Sequence, residues 1–213
     1  MNHTTPSLLG RLRALTPQRS DVTYDEALRV AELQATRLGE LLGGPEGCSE
    51  QAIALLPRIR IVHESIGVSG MSHWTGTEWL ITLNERDSTA RQRFTLLHEY
   101  KHIVDHGYAD RLYTGSNRAT PAEQAEHAAD YFAGGALVPK RELKAAWGGG
   151  MQRTADLAAH FGVSTIAITV RLAQTKLSTF ADEASDERCA RPVSTPRYSP
   201  QQFRFAHSRR TYA

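Results

Sequence analysis

His98-Glu99-Tyr100-Lys101-His102 sets two imidazoles and a carboxylate in a spacing that a helix turns into a metal site. On an α-helix, residues four apart stack on one face, so His98 and His102 can grip one ion. Glu99 lies about 100° further round, where it reaches a water on that ion without being angled to ligate it. Zinc suits these donors, because imidazole binds it well and it brings no redox chemistry. It makes water acidic near neutral pH, and a carboxylate at Glu99 can take the released proton and pass it on. The reaction class this points to is hydrolysis, with Glu99 as general base. With nine histidines in the chain, such a pentapeptide arises by chance at a level of roughly a few per cent, so its surroundings must decide. Leu96, Leu97, Tyr100, Ile103 and Val104 fall opposite the two histidines, giving one stripe for a core and one for a metal. Asp87 or Ser88 can cap the start of this helix, and Gly107 can end it.

A catalytic zinc takes three protein ligands and keeps one position open. The candidates for the third are His106, Glu123, Glu126, His127 and His160. His106 continues the four-residue series, but three histidines stacked on one straight helix cannot converge on one ion. The longer HExxHxxGxxH pattern is absent, since Asp105 and Tyr108 stand where Gly and His would be needed. Glu123 completes a capping box with Thr120, with Pro121 at the first helical position. Glu126 is the better choice because Asp130 follows four residues later on the same face, where it can accept the other ring N–H of a ligand histidine. His127 is the reserve. Tyr131, His127, Tyr108 and His106 are open alternatives as donors to the oxyanion of a tetrahedral intermediate.

The elements that must position these residues read as follows. Residues 1–20, with Pro6 and Pro17, look like a flexible leader. From about Asp21 a helical period runs through Val22, Ala27, Leu28, Ala31, Leu33, Leu38 and Leu41, and Gly43-Gly44-Pro45 stops it. Gln51 to Leu56 is a short helical turn. Arg58 to His63 and Glu78 to Leu83 alternate as strands, with Gly76-Thr77 as a turn before the second. That second strand leads straight into the zinc helix, so its edge is expected to pair with an extended substrate. A polar loop to Ala119 precedes the helix that carries Glu126, which ends near Pro139. Shorter helices follow at Lys140 to Trp147, 154–161 and 165–177, the last two joined by Gly162-Val163-Ser164. Residues 21–178 then form one domain, α+β and mainly helical, with a small sheet and a C-terminal helical hairpin. Residues 179–213, rich in proline, serine and mixed charge, read as a disordered tail.

Composition excludes several classes. A net charge of +2 is too small to argue for a nucleic-acid partner, and 40% hydrophobic content is ordinary for a soluble chain. Cys48 and Cys189 stand far apart and form neither a disulfide framework nor a structural zinc cluster. No stretch approaches ~18 uninterrupted apolar residues and no apolar signal core opens the chain, so the cytoplasm is the expected compartment.

Three blocks carry a family resemblance. Arg91 to His102 resembles the zinc helix of the ImmA/IrrE metallo-endopeptidases. Glu126-His127-Ala128-Ala129-Asp130-Tyr131-Phe132-Ala133 with Leu137-Val138-Pro139 resembles their third-ligand helix, and Leu157 to Ser164 with Arg171-Leu172 their C-terminal helices. The resemblance covers roughly residues 50–178. It implies a minimal, gluzincin-like fold in which His98, His102 and Glu126 hold zinc and Glu99 is the base. It also implies a bacterial protein of mobile elements or stress responses, whose substrate is a helix-turn-helix repressor and whose cut derepresses the silenced genes. Two readings compete. The 154–161 and 165–177 pair could be a DNA-binding helix-turn-helix, yet Arg171 and Lys176 are the only basic residues of its second helix. Alternatively the chain binds a repressor without cutting it.

Overall fold

A computed structural model describes residues 6–20 and 22–177. The helix with the two histidines, α4 in chain order, spans Thr89–Asp105; Ser88 caps it by accepting from the Arg91 N–H, and the chain turns away through Gly107 at φ 84°. Leu96, Leu97, Tyr100, Ile103 and Val104 are all essentially inaccessible, as the apolar stripe requires. Two helices flank it. Tyr24–Leu42 (α2) starts from a Thr23/Glu26 capping box and stops at Gly43 in the left-handed region. Pro121–Leu137 (α6) starts from the Thr120/Glu123 capping box with Pro121 in the first turn. α2, α4 and α6 pack on one another and hold most of the core. Gly135 permits this: a Cβ there would meet the Ala35 Cβ at 3.1 Å, so the helices approach more closely than alanine allows. Gly134 meets nothing, and the structure gives no packing reason for it.

The sheet has three strands among the described residues, β1 (Ile59–Glu64), β2 (Gly70–Trp74) and β3 (Trp79–Asn84), in the order β1-β3-β2. β1 runs parallel to β3 and β2 antiparallel to it. This corrects the expected substrate edge. The 79–84 strand is central and its hydrogen-bonding sides face β1 and β2; the strands with an outer side are β1 and β2, and β2 is the edge that lies against α4. Five residues of the type Gly-Met-Ser-His-Trp, mostly half-buried, show no alternation, so β2 is invisible to a period count. The turn at Thr75 to Glu78, with Gly76 at φ 105°, was its one sequence signal, because a hairpin turn needs a strand on both sides. Gly70 lets β2 lie on α4: a Cβ there would sit 2.5 Å from the Thr95 Cγ2.

The leader is also corrected in part. Leu8–Arg13 form a helix (α1) capped by Ser7, and Leu12 is fully buried in the core. Arg13 donates to the carbonyl oxygens of Ile103 (2.8 Å) and Val104 (3.1 Å), closing the C-terminal end of α4. A helix under two turns long shows no sustained period, which is why its leucines read as a loose segment. Residues 1–5 and the proposed tail at 179–213 lie outside the described residues. Glu50–Ala54 (α3) precedes β1, Ala109–Leu112 (α5) follows α4, and Lys140–Gly148 (α7), Thr154–Phe161 (α8) and Thr165–Thr175 (α9) complete the α+β fold. α8 and α9 pack as the expected hairpin. None of the described helices is long and apolar enough to cross a membrane.

A charged network anchors α4 from behind. The fully buried Lys101 ammonium donates to Asp105 Oδ1 (2.6 Å) and Gln34 Oε1 (2.7 Å), and the Tyr113 hydroxyl donates to Asp105 Oδ2 (2.5 Å). Gln34 in turn donates to the Leu12 carbonyl (3.2 Å) and to Thr16 (3.3 Å). Residues 12–16, Gln34 on α2 and Tyr113 are thereby tied to the helix that carries the histidines. Removing one partner of a buried pair strands the other charge. Asp105→Ala is therefore expected to lower unfolding free energy by about 3–5 kcal/mol, measured by urea denaturation. A loss within 0.5 kcal/mol, a surface-like value, would show that the network does not hold the helix.

Candidate metal centre

α4 and α6 cross so that three donor atoms converge. His98 Nε2 lies 3.1 Å from His102 Nε2 and 3.2 Å from Glu126 Oε2, and His102 Nε2 lies 3.4 Å from Glu126 Oε1. Bonds of about 2.0–2.1 Å arranged tetrahedrally around one ion require donor separations of about 3.3 Å. The trio therefore fits zinc in donor type and in spacing, and it is the one such group among the described residues. All three side chains are partly exposed, Glu126 most at 46%, so a fourth position faces solvent.

Asp130 sits where the spacing predicts. Its Oδ1 accepts from His98 Nδ1 at 2.8 Å, which turns Nε2 toward the other two donors. Burial opposes a charge on His98, but hydrogen bonds to Asp130 and Glu126 outweigh it and push its pKa up to about 10. His102 moves the other way: burial, then the neighbouring His98 charge, hold it below its ordinary value. Burial also opposes the Glu126 carboxylate, yet His98 and His102 more than compensate and keep its pKa below the usual glutamate range.

Glu99 is not among the three converging donors. It is nearly buried, and the Ser72 hydroxyl on β2 donates to its Oε2 at 2.8 Å. Sequence reading missed Ser72 because it missed β2. The remaining candidates are engaged away from the trio. Glu123 is held in the Thr120 capping box. His127 Nδ1 shares a hydrogen bond with the Tyr24 hydroxyl, also missed from sequence, at 2.5 Å. The Tyr131 ring lies 5.6 Å from the Arg171 guanidinium. Tyr108 lies between Arg13 and Arg111. His106 stands edge-on to Trp79 and His160 to Phe161. Of the candidate oxyanion donors, His127 has its Nδ1 shared with Tyr24 and Tyr131 lies against Arg171.

The charge pattern has a consequence for loading. At pH 7 the metal-free His98 carries a proton on each nitrogen, and an ion must displace the one on Nε2. Zinc binding at pH 7 is expected to release about one proton, and affinity to rise with pH over the range 6.5 to 8.5, read by calorimetry in buffers of different ionisation enthalpy. The sign for stability follows: the raised His98 pKa stabilises the metal-free fold below about pH 6.5, and that contribution is lost as pH rises through about 10. Asp130→Asn should release fewer protons and weaken zinc binding by about 10–100-fold. Uptake without proton release would contradict the charge assignment.

Comparison with known proteins gives the family. No curated protein matches. Among solved structures, a chain described as "Mycobacterium tuberculosis transcriptional regulator" has a similar fold, with a TM-score of 0.58 at 16% identity. The match covers 79% of this chain and 52% of that one, so this chain spans about half the length of that protein, and the likeness speaks to fold alone. Residues 57–173, over half of the sequence and including β2, α4 and α6, match the family model described as the IrrE N-terminal-like domain of peptidase family M78. The chain belongs to the IrrE N-terminal-like peptidase family.

Proposed function

We propose that this protein is a zinc-dependent endopeptidase that cuts a helix-turn-helix transcriptional repressor in the bacterial cytoplasm, switching on mobile-element or stress-response genes. The observation that carries the reading is the convergence of His98, His102 and Glu126 at tetrahedral spacing, with Glu99 next in line on the same helix. Membership of a peptidase family supports the reaction class.

His98, His102 and Glu126 hold the zinc, which when bound acidifies water and polarises a carbonyl. Glu99 takes the proton from the attacking water and delivers it to the leaving nitrogen, so the peptide bond ends as a carboxylate and an amine. Ser72 occupies one Glu99 oxygen, which leaves Oε1 to exchange the proton and fixes its direction. Asp130 keeps the His98 ring turned toward the centre. An extended substrate pairs with the outer side of β2 and so passes beside Glu99.

DNA binding is the weaker reading. Arg171, the one basic residue within α9, is 1% exposed, donates to both Glu32 oxygens and to the Val138 carbonyl, and joins α2, α6 and α9 from inside. It cannot reach a phosphate. A repressor-binding protein without proteolysis remains the alternative worth an experiment.

Glu99→Gln is expected to keep its zinc, measured by elemental analysis, and to lose about 10²–10⁴-fold in fragment production from a purified candidate repressor. Full activity in that variant would remove Glu99 from the mechanism. An intact repressor after incubation with zinc-loaded wild type, despite stable complex formation, would favour binding without cutting. Ser72→Ala should retain metal and slow cleavage by about tenfold, the worth of one hydrogen bond to a charged group. An unchanged rate would make Ser72 structural.

A further inference from the structure

A cavity of about 430 Å³ lies at the end of the sheet, below α1 and beside the C-terminal half of α4. Its inner wall includes Ile59, Trp79 and Trp74, which are register partners across β1, β3 and β2 and so present the same face. Tyr100 and His106 of α4 and Leu56 complete the part that matters here. Resting on the peptidase reading above, we propose that this cavity is a substrate subsite. It takes a large apolar side chain of an extended peptide laid along β2, about two residues from the bond held beside Glu99.

The register of β2 against α4 makes the connection. Strand positions two apart share a face. A Cβ on Gly70 would point at Thr95, the Ser72 hydroxyl reaches Glu99, and Trp74 reaches the cavity wall formed by Tyr100 and His106. β2 therefore descends along α4, passing the catalytic carboxylate one inward position before the cavity. Two strand residues advance about 6.6–6.8 Å, and four helix residues about 6 Å, so the two elements keep step. A peptide added to the outer side of β2 alternates in the same way. When its scissile bond lies by Ser72 and Glu99, the side chain two residues along faces Trp74.

The lining selects the kind of side chain. Trp74 and Trp79 pack at 5.5 Å, and His106 stands edge-on to Trp79 at 4.8 Å, which leaves aromatic surface toward the space. The Arg13 guanidinium at the cavity is already committed to the Ile103 and Val104 carbonyls. Trp74 is 41% exposed and Leu55, next to the lining residue Leu56, is 84% exposed, so apolar surface continues out of the mouth. Arg58 also lines the mouth, but against the aromatic inner wall a carboxylate would lose water, whereas Leu, Phe, Met or Trp would gain burial.

The test is cleavage-site profiling. A proteome-derived peptide library is incubated with the zinc-loaded full chain, with Glu99→Gln as the blank, and the cut sites are read by mass spectrometry. Leu, Phe, Met and Trp are expected to be enriched at one fixed position two residues from the cut. Trp74→Ala should weaken that enrichment by about tenfold, and Leu56→Trp, which fills the cavity, should turn the preference toward small residues. Cutting with no preference there, or a preference that both variants leave intact, overturns the subsite and leaves the peptidase standing. If wild type cuts no more than Glu99→Gln, the peptidase reading fails and binding alone decides the subsite. A fluorescein-labelled alanine hexapeptide carrying one Phe should then bind the full chain, read by polarisation, and bind Trp74→Ala about tenfold more weakly. Equal binding of an Asp-carrying counterpart, or no binding, overturns it.

Discussion

Everything chemical in this protein depends on how closely α6 can lie against α4. The two imidazoles are a local property of one helix, since a four-residue step stacks them whatever else the chain does. The third donor is a tertiary property. Glu126 reaches 3.2–3.4 Å from both rings because α6 seats Phe132, Ala133 and Ala136 in the same core as Leu97 and Tyr100. Small residues set that distance, and the Gly135–Ala35 contact lets α2 press on α6 from the far side.

Charge is arranged with the same economy. α4 carries a buried ammonium and two imidazoles, Lys101 and His102 being adjacent in sequence. Lys101 is neutralised by Asp105 one turn along the same helix, while His98 and His102 face Glu126 of α6 and His98 also meets Asp130. Arg171 does comparable work at the other end of the core, where its bidentate pairing with Glu32 fixes α9 to α2.

The parts of the site that were legible in the sequence are those written in local spacing. Helical period, the Thr120/Glu123 capping box and the Glu126-xxx-Asp130 step placed α4, α6 and four side chains, because each depends on residues at most a few positions apart. The parts that were not legible depend on pairing at long range. β2 has no alternation of its own and exists because β3 and α4 give it a ladder and a surface. With it went Ser72 and the identity of the sheet edge. α1 was lost for the same reason: its single turn is stabilised by docking on α2 and by Arg13 reaching residues 103 and 104, some ninety positions away in sequence. Local spacing could not rank Tyr131 among the four open oxyanion donors, because its contact with Arg171 of α9 is also a long-range one.

The central claim is that two helices deliver three side chains to one ion and leave it one open position. A zinc-loaded crystal, with the ion located by anomalous scattering at the zinc edge, tests it most directly. The account predicts one ion per chain, about 2.0–2.1 Å from His98 Nε2, His102 Nε2 and a Glu126 oxygen, with the remaining position facing solvent beside Glu99. An ion bound without Glu126, or a fourth protein ligand closing the site, would contradict it.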